Sequence, residues 1–139
     1  MTDSYSLLNR ELRFYIHEKG WPSLTKIQNA AIKTFFTNDN NLILSAATAQ
    51  GKTEAAFLPA ISKIANFDSG LKILYISPLI ALINDQFRRI SDMCLDMDIP
   101  ITAWHGEASK SKKDSLIENP RGIALITPES IEACLLYTS

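Results

Sequence analysis

Three short apolar runs, at residues 42–45, 71–77 and 122–127, are each followed by a segment able to form a helix. That alternation constrains the fold more than any other feature. A run apolar on both faces needs cover on both sides, whereas an antiparallel hairpin usually leaves one face wet. Strands separated by amphipathic helices form a parallel sheet with helices packed on each side. With right-handed crossovers the expected class is α/β, an open doubly wound parallel sheet. At 139 residues the chain is one domain or part of one.

The spacing of Leu8, Leu12, Tyr15 and Ile16 predicts a first helix over 5–19, ended by Gly20-Trp21-Pro22. Ser23 or Thr25 can cap a second helix carrying Ile27, Ala30, Ala31, Ile32 and Phe35. A polar turn at 38–41 leads into a strand at 42–45. The next helix is expected over 52–67, kinked at Pro59, which has no N–H to donate. Beyond Gly70 comes the strand at 71–77, then a helix at about 79–97 with Leu79, Leu82, Ile83, Ile90, Met93 and Cys94 on one face. Pro100 introduces a strand at 101–104. A basic helix at 110–118, the strand at 122–127 and a helix through 131–136 follow.

The composition, 46% hydrophobic and 21% charged, is that of a globular protein rather than a disordered one. A formal net charge of −1 argues against a broadly basic coat for nucleic acid, while leaving room for a local positive groove. Cys94 and Cys134 show no metal-ligand spacing and no disulfide framework, which fits a reducing, cytoplasmic setting. The first residues lack the basic-then-apolar pattern of a signal peptide, and no run approaches the length of a membrane span, so no membrane partner is expected.

The chemistry concentrates at Ala46-Ala47-Thr48-Ala49-Gln50-Gly51-Lys52-Thr53, between the 42–45 run and a helix opening with Glu54-Ala55-Ala56-Phe57. Small residues turning into Gly-Lys-Thr at a helix start place backbone N–H groups and the positive helix end around phosphates. Lys52 would neutralise the β- and γ-phosphates, and the Thr53 hydroxyl would sit on Mg²⁺. An ordinary strand-to-helix turn with a solvated lysine is the bland alternative. In open parallel sheets ligands lie beyond the carboxyl ends of the strands. The segments 46–53, 77–78 and 127–130 are all expected there.

Four ordered segments resemble motifs of the DEAD/DEAH-box and related superfamily-two helicases. Residues Gly20-Trp21-Pro22-Ser23-Leu24-Thr25-Lys26-Ile27-Gln28 are similar to the Q motif, and 46–53 to the phosphate loop, which in these helicases commonly begins with Ala. Ser77-Pro78-Leu79-Ile80-Ala81-Leu82-Ile83-Asn84-Asp85-Gln86 resembles motif Ia, and Thr127-Pro128-Glu129-Ser130-Ile131-Glu132 resembles motif Ib. The wording of the stretches at 75–90, 104–107 and 126–133 is most similar to the Lhr-type branch. The resemblance covers nearly the whole chain. It implies a P-loop NTPase RecA-like domain, incomplete, over 1–139.

The resemblance further implies ATP and Mg²⁺ as cofactors. ATP would be held by Gln28, Ala47, Thr48, Ala49, Gln50, Gly51, Lys52, Thr53 and Glu54, with Thr53 on the metal and Lys52 and Thr53 nearest the chemistry. A glutamine carboxamide offers the donor and acceptor that read adenine N6 and N7. Trp21 could stack on the base, although a core tryptophan is the commoner fate. One strand of DNA or RNA, single or within a duplex, would be contacted along its backbone by Pro78, Leu79, Ala81, His105, Gly106, Thr127, Pro128 and Ser130. Glu129 is better suited to ordering its neighbours than to holding a phosphate. Many relatives carry a basic residue where Ile80 stands, so weaker anchoring and a shallower salt dependence are expected there. Lys110, Lys112 and Lys113 read as a solvated helix face.

Hydrolysis requires a carboxylate on Mg²⁺ and a group that orients water. The family supplies both from an Asp-Glu box, and no Asp-Glu pair occurs here. Nucleotide binding without appreciable hydrolysis or unwinding is therefore expected of these residues, together with partner helicase domains on the carboxyl side and an unpaired sheet edge prone to self-association. A small-molecule kinase or nucleotide sensor, and a non-catalytic interaction fragment, remain the competing readings.

Overall fold

The computed structural model describes residues 3–47, 51–64, 66–105 and 110–132. They fall into two compact units, one within Met1–Ala65 and one within Asn66–Ser139.

The first unit is helical: α1 (Asp3–Leu7), α2 (Arg10–Glu18), α3 (Lys26–Thr37) and α4 (Lys52–Lys63). The single helix expected over 5–19 is two. Asn9 breaks it, because its carboxamide oxygen caps α2 by accepting from the Leu12 N–H at 2.9 Å. The Asn9 N–H donates instead to Ser62 Oγ at 2.6 Å. An asparagine that offers the backbone a local partner favours a new helix start over continuation. Leu8, Leu12, Tyr15 and Ile16 are nonetheless buried as their spacing predicts. Helix α1 packs on α3, where the Ser4 hydroxyl hydrogen-bonds to the Asn29 carboxamide.

Helix α4 stops at Lys63, short of the expected residue 67, with Ile64 extended. The Lys63 ammonium lies 5.3 Å from the Phe35 ring centre and 3.2 Å from Asp39, holding the end of α4 against α3. Pro59 does not interrupt the helix; it is buried within it.

The strand expected at 42–45 is absent. These residues carry no ladder, and Ile43 is 92% exposed. The physical reason is that a strand exists only through its neighbours: every backbone N–H and C=O along it needs a partner. Apolar composition without an adjacent strand leaves an irregular segment. Beside it lies a hollow of about 410 Å³ lined by Phe35, Leu42, Leu44, Ala55, Pro59 and Lys63.

The second unit contains β1 (Gly70–Ile76), α5 (Ile80–Asp96), β2 (Ile101–Trp104), α6 (Lys110–Glu118) and β3 (Arg121–Ile126). The strands form a parallel sheet in the order β1-β3-β2. Ile73 and Ile101 flank Ile123, and Ile76 and Trp104 flank Ile126. β1 is irregular between Leu71 and Ile73. The chain passes over β3 from β1 to β2 and then returns, so right-handed crossovers put α5 and α6 on opposite faces. Packing agrees with this. Leu116 and Ile117 of α6 join Trp104, Ala124 and Ile126 in one cluster. Alternation along β3 leaves Ile123 and Leu125 for the other face, where α5 buries Ile83, Ile90, Met93 and Cys94. Each of these fully buried aliphatic side chains contributes about 1.5–3 kcal/mol. The central strand is thus buried on both sides, as its unbroken apolar run predicts, and the sheet is doubly wound.

Burial pushes the Cys94 thiol up from 9.0 to about 12. The folded state therefore keeps a proton that the unfolded chain gives up. The contribution is whole below about pH 9 and is lost as pH rises from there toward 12. Denaturant melts of Cys94→Val across that window are expected to show a shallower alkaline loss of stability than the parent chain.

Candidate nucleotide and nucleic-acid sites

In the helical unit, two helix starts are tied together by one side chain. Thr25 caps α3 in a capping box: its hydroxyl accepts from the Gln28 N–H at 3.3 Å, and Gln28 Oε1 accepts from the Thr25 N–H at 2.9 Å. The other end of the same carboxamide crosses to α4, Nε2 donating to the Gly51 carbonyl at 3.3 Å. That carbonyl already accepts from the Ala55 N–H at 3.0 Å, the first bond of α4. Gln28 is 5% exposed, so donor and acceptor are both used inside the protein. Removing the cap in Thr25→Ala is expected to cost about 1 kcal/mol, read as a lower urea midpoint with an unchanged slope.

Gly51 precedes α4 in the left-handed region, φ 76°, where glycine is the residue without penalty. A Cβ there would also overlap Gln28 Nε2. Gly51, the N-cap of α4, has no side chain to cap the first turn. Lys52 is exposed at its start, and Thr53 and Glu54 are half-buried behind it. A left-handed glycine at a helix start and an adjacent ammonium suit a polyphosphate. Ala47 is exposed; Thr48, Ala49 and Gln50 lie outside the described residues. Trp21 is half-buried and packs edge-on against Tyr15 with ring centres 6.3 Å apart. The hollow beside residues 42–44 includes none of Gln28, Gly51 and Lys52.

In the sheet unit, the segments after all three strands lie at the carboxyl rim. The Ser77 N–H donates to the Ile126 carbonyl at 3.1 Å, and the Thr127 N–H to the Trp104 carbonyl at 3.3 Å. Each segment is thus aligned by the last carbonyl of the neighbouring strand. Pro78, Leu79 and Ala81 are exposed, and Leu79, the N-cap of α5, makes no side-chain cap bond. Thr127 and Ser130 are buried, and Thr127 Oγ1 donates to Ser130 Oγ at 2.9 Å. The chain turns helical at 128–132, earlier than the 131 expected, because Pro128 suits a first helical position. Pro128 itself is exposed. His105 follows β2, 5% exposed, with Nε2 3.1 Å from Asn84 Oδ1. Gly106 lies outside the described residues. Two of the three segments expected at strand ends, 77–78 and 127–130, are there. The third, 46–53, follows no strand, because 42–45 does not form one. Asn84, within the 77–86 segment, carries no signal of its own in the sequence, because its partner His105 lies twenty-one positions away.

Among the described residues no group of His, Cys, Asp and Glu could hold a metal ion without other ligands. No helix among them is long and apolar enough to cross a membrane.

The parallel α/β sheet in the order β1-β3-β2 matches part of the RecA-like domain of solved helicases. The structure matches that of Mycobacterium smegmatis helicase Lhr bound to single-stranded DNA and AMP-PNP with a TM-score of 0.77 and 27% identity, covering 94% of this chain and 18% of that one. It matches the RNA helicase Prp28 from Chaetomium thermophilum bound to ADP at 0.77 and 26%, covering 93% of this chain and 32% of that one. The sequence model of the DEAD/DEAH box helicases matches residues 25–139, and the chain belongs to that family. An ATP-dependent helicase Lhr-Core of Methanocaldococcus jannaschii is 28% identical over 94% of this chain and 18% of its own length. An activating signal cointegrator 1 complex subunit 3-like protein of Dictyostelium discoideum is 31% identical over 84% of this chain and 6% of its own. The Lhr proteins among these relatives agree with the Lhr-type wording of the motifs. The chain spans less than a fifth of the length of either curated relative.

Proposed function

We propose that this chain binds MgATP and one nucleic-acid strand as part of an ATP-dependent helicase. The observation that carries the reading is the bond from Gln28 to Gly51, because it sets an adenine-reading carboxamide directly beside the glycine that opens the Lys52 helix. Lys52 and the first-turn amides of α4 would hold the phosphates, and the Thr53 hydroxyl would take Mg²⁺, which neutralises phosphate charge when bound. ATP supplies the free energy of its γ-phosphate bond to a motor. Gln28 would exchange its internal partners for adenine N6 and N7, and so loosen its hold on Gly51 when the base enters. The exposed rim of Pro78, Leu79 and Ala81, with the first-turn amides of α5, would meet the sugar–phosphate backbone. Thr127 and Ser130, bonded to each other, would support that rim or release a hydroxyl to it.

With no Asp-Glu pair in the sequence, these residues are proposed to bind rather than turn over nucleotide. Titration with AMP-PNP and Mg²⁺ by calorimetry tests the reading. Saturable binding that prefers adenine to guanine nucleotides is expected. Failure to bind either would overturn it.

A further inference from the structure

The bond between His105 and Asn84 has a purpose that neither residue shows alone. His105, at the end of β2, is 5% exposed and so poorly placed to touch a nucleic-acid strand itself. Asn84, in the second turn of α5, is exposed. Their 3.1 Å contact spans twenty-one positions of the chain and joins α5 to the strand rim. We propose that Asn84 is a nucleic-acid backbone contact and that His105 is the positioning residue that orients its carboxamide. The proposal rests on the helicase reading above.

The chemistry follows from the inventory of donors. With Nε2–H of His105 donating to Oδ1, the Asn84 carboxamide cannot rotate freely, and its NH₂ group is turned to the side away from the imidazole. That NH₂ has no hydrogen-bond partner among the described residues. Two donors are thereby presented outward with their rotamer already chosen, which lowers the ordering cost of meeting a phosphate or sugar oxygen. Ile80, one turn earlier on the same helix face, offers no side-chain donor; Arg88, one turn later, is an exposed cation bound only loosely to Asp85 at 3.3 Å. Asn84 fills the gap between the uncapped start of α5 and that cation. The face then runs from backbone amides through a neutral donor to a charge, a row suited to a phosphodiester chain and not to a base edge.

Two measurements on the 139-residue chain test this. Long-range ¹H–¹⁵N spectra at about pH 8, where an ordinary histidine is neutral, should show His105 as the Nε2–H tautomer. Asn84→Leu should lose that preference and Asn84→Asp should keep it. Fluorescence anisotropy with a labelled oligothymidylate reads binding. Asn84→Leu is expected to bind about 3- to 10-fold more weakly, the size of one lost hydrogen bond, while AMP-PNP affinity is unchanged. Asp keeps the acceptor but replaces the NH₂ by a negative charge that itself repels phosphate, so it serves the tautomer readout. The neutral Asn84→Leu carries the binding readout. A deprotonated Nε2 in the parent chain, or a parent-like oligonucleotide affinity of Asn84→Leu alone, would overturn the proposal. A parent chain that binds no oligonucleotide would sink the helicase reading and the contact role together, and the tautomer spectrum would still decide whether His105 orients Asn84.

Discussion

Gly122→Ala is expected to unfold the sheet unit or to bring it to the edge of unfolding. Gly122 lies at the start of the central strand with φ 70°, a conformation that costs an L-residue about 1–2 kcal/mol. A Cβ there would overlap the Pro100 carbonyl oxygen and lie 2.8 Å from its carbon. The obstacle is backbone, so no rotamer change relieves it. It cannot retreat either, because the same carbonyl accepts from the Ile123 N–H at 2.8 Å, a bond at the entry of β2 beside β3. Overpacking adds about 1–3 kcal/mol to the strain. A combined loss of about 2–5 kcal/mol is a large part of the 5–15 kcal/mol typical of a domain. Urea melts followed by circular dichroism check it. A midpoint within experimental error of the parent's would show that the 100–101 turn yields easily, and that the close approach is incidental.

The second large effect concerns ligand rather than fold. Lys52→Ala is expected to weaken MgATP binding about 10- to 100-fold, since a charge-assisted hydrogen bond to phosphate contributes about 1.5–3 kcal/mol. Lys52 is exposed at the first position of α4, and alanine is a good helix former there, so stability should scarcely change. The contrast between an unchanged melt and lost affinity is what identifies a ligand-binding lysine. Equal affinities in the two proteins would mean that Lys52 is only a solvated cation at a helix start.

How far the residues alone could be read differs between the two units. Ile123-Ala124-Leu125-Ile126 is legible as a doubly covered strand because only such a strand tolerates apolar side chains on both faces, and it is the centre of the sheet. Residues 42–45 look the same on paper and are not a strand. Composition reports what a segment could bury, whereas pairing depends on a neighbour that the composition of that segment does not mention. The helix over 5–19 failed for the opposite reason, a local one: Asn9 offered its carboxamide to the backbone and restarted the helix. A cap at Ser23 or Thr25 was readable from residue type, and the capping box with Gln28 in the structure selects Thr25.

Periodicity, turn residues and motif order were enough to give an α/β parallel architecture, the helicase family and the candidate lysine, because each depends on near neighbours along the chain. The partners of individual polar groups were not available from that source. Gln28 reaches across twenty-three positions to Gly51, and His105 across twenty-one to Asn84. Such bonds form only after helices and strands have packed, when burial makes an unsatisfied donor costly and the nearest acceptor in space, wherever it sits in the chain, takes it.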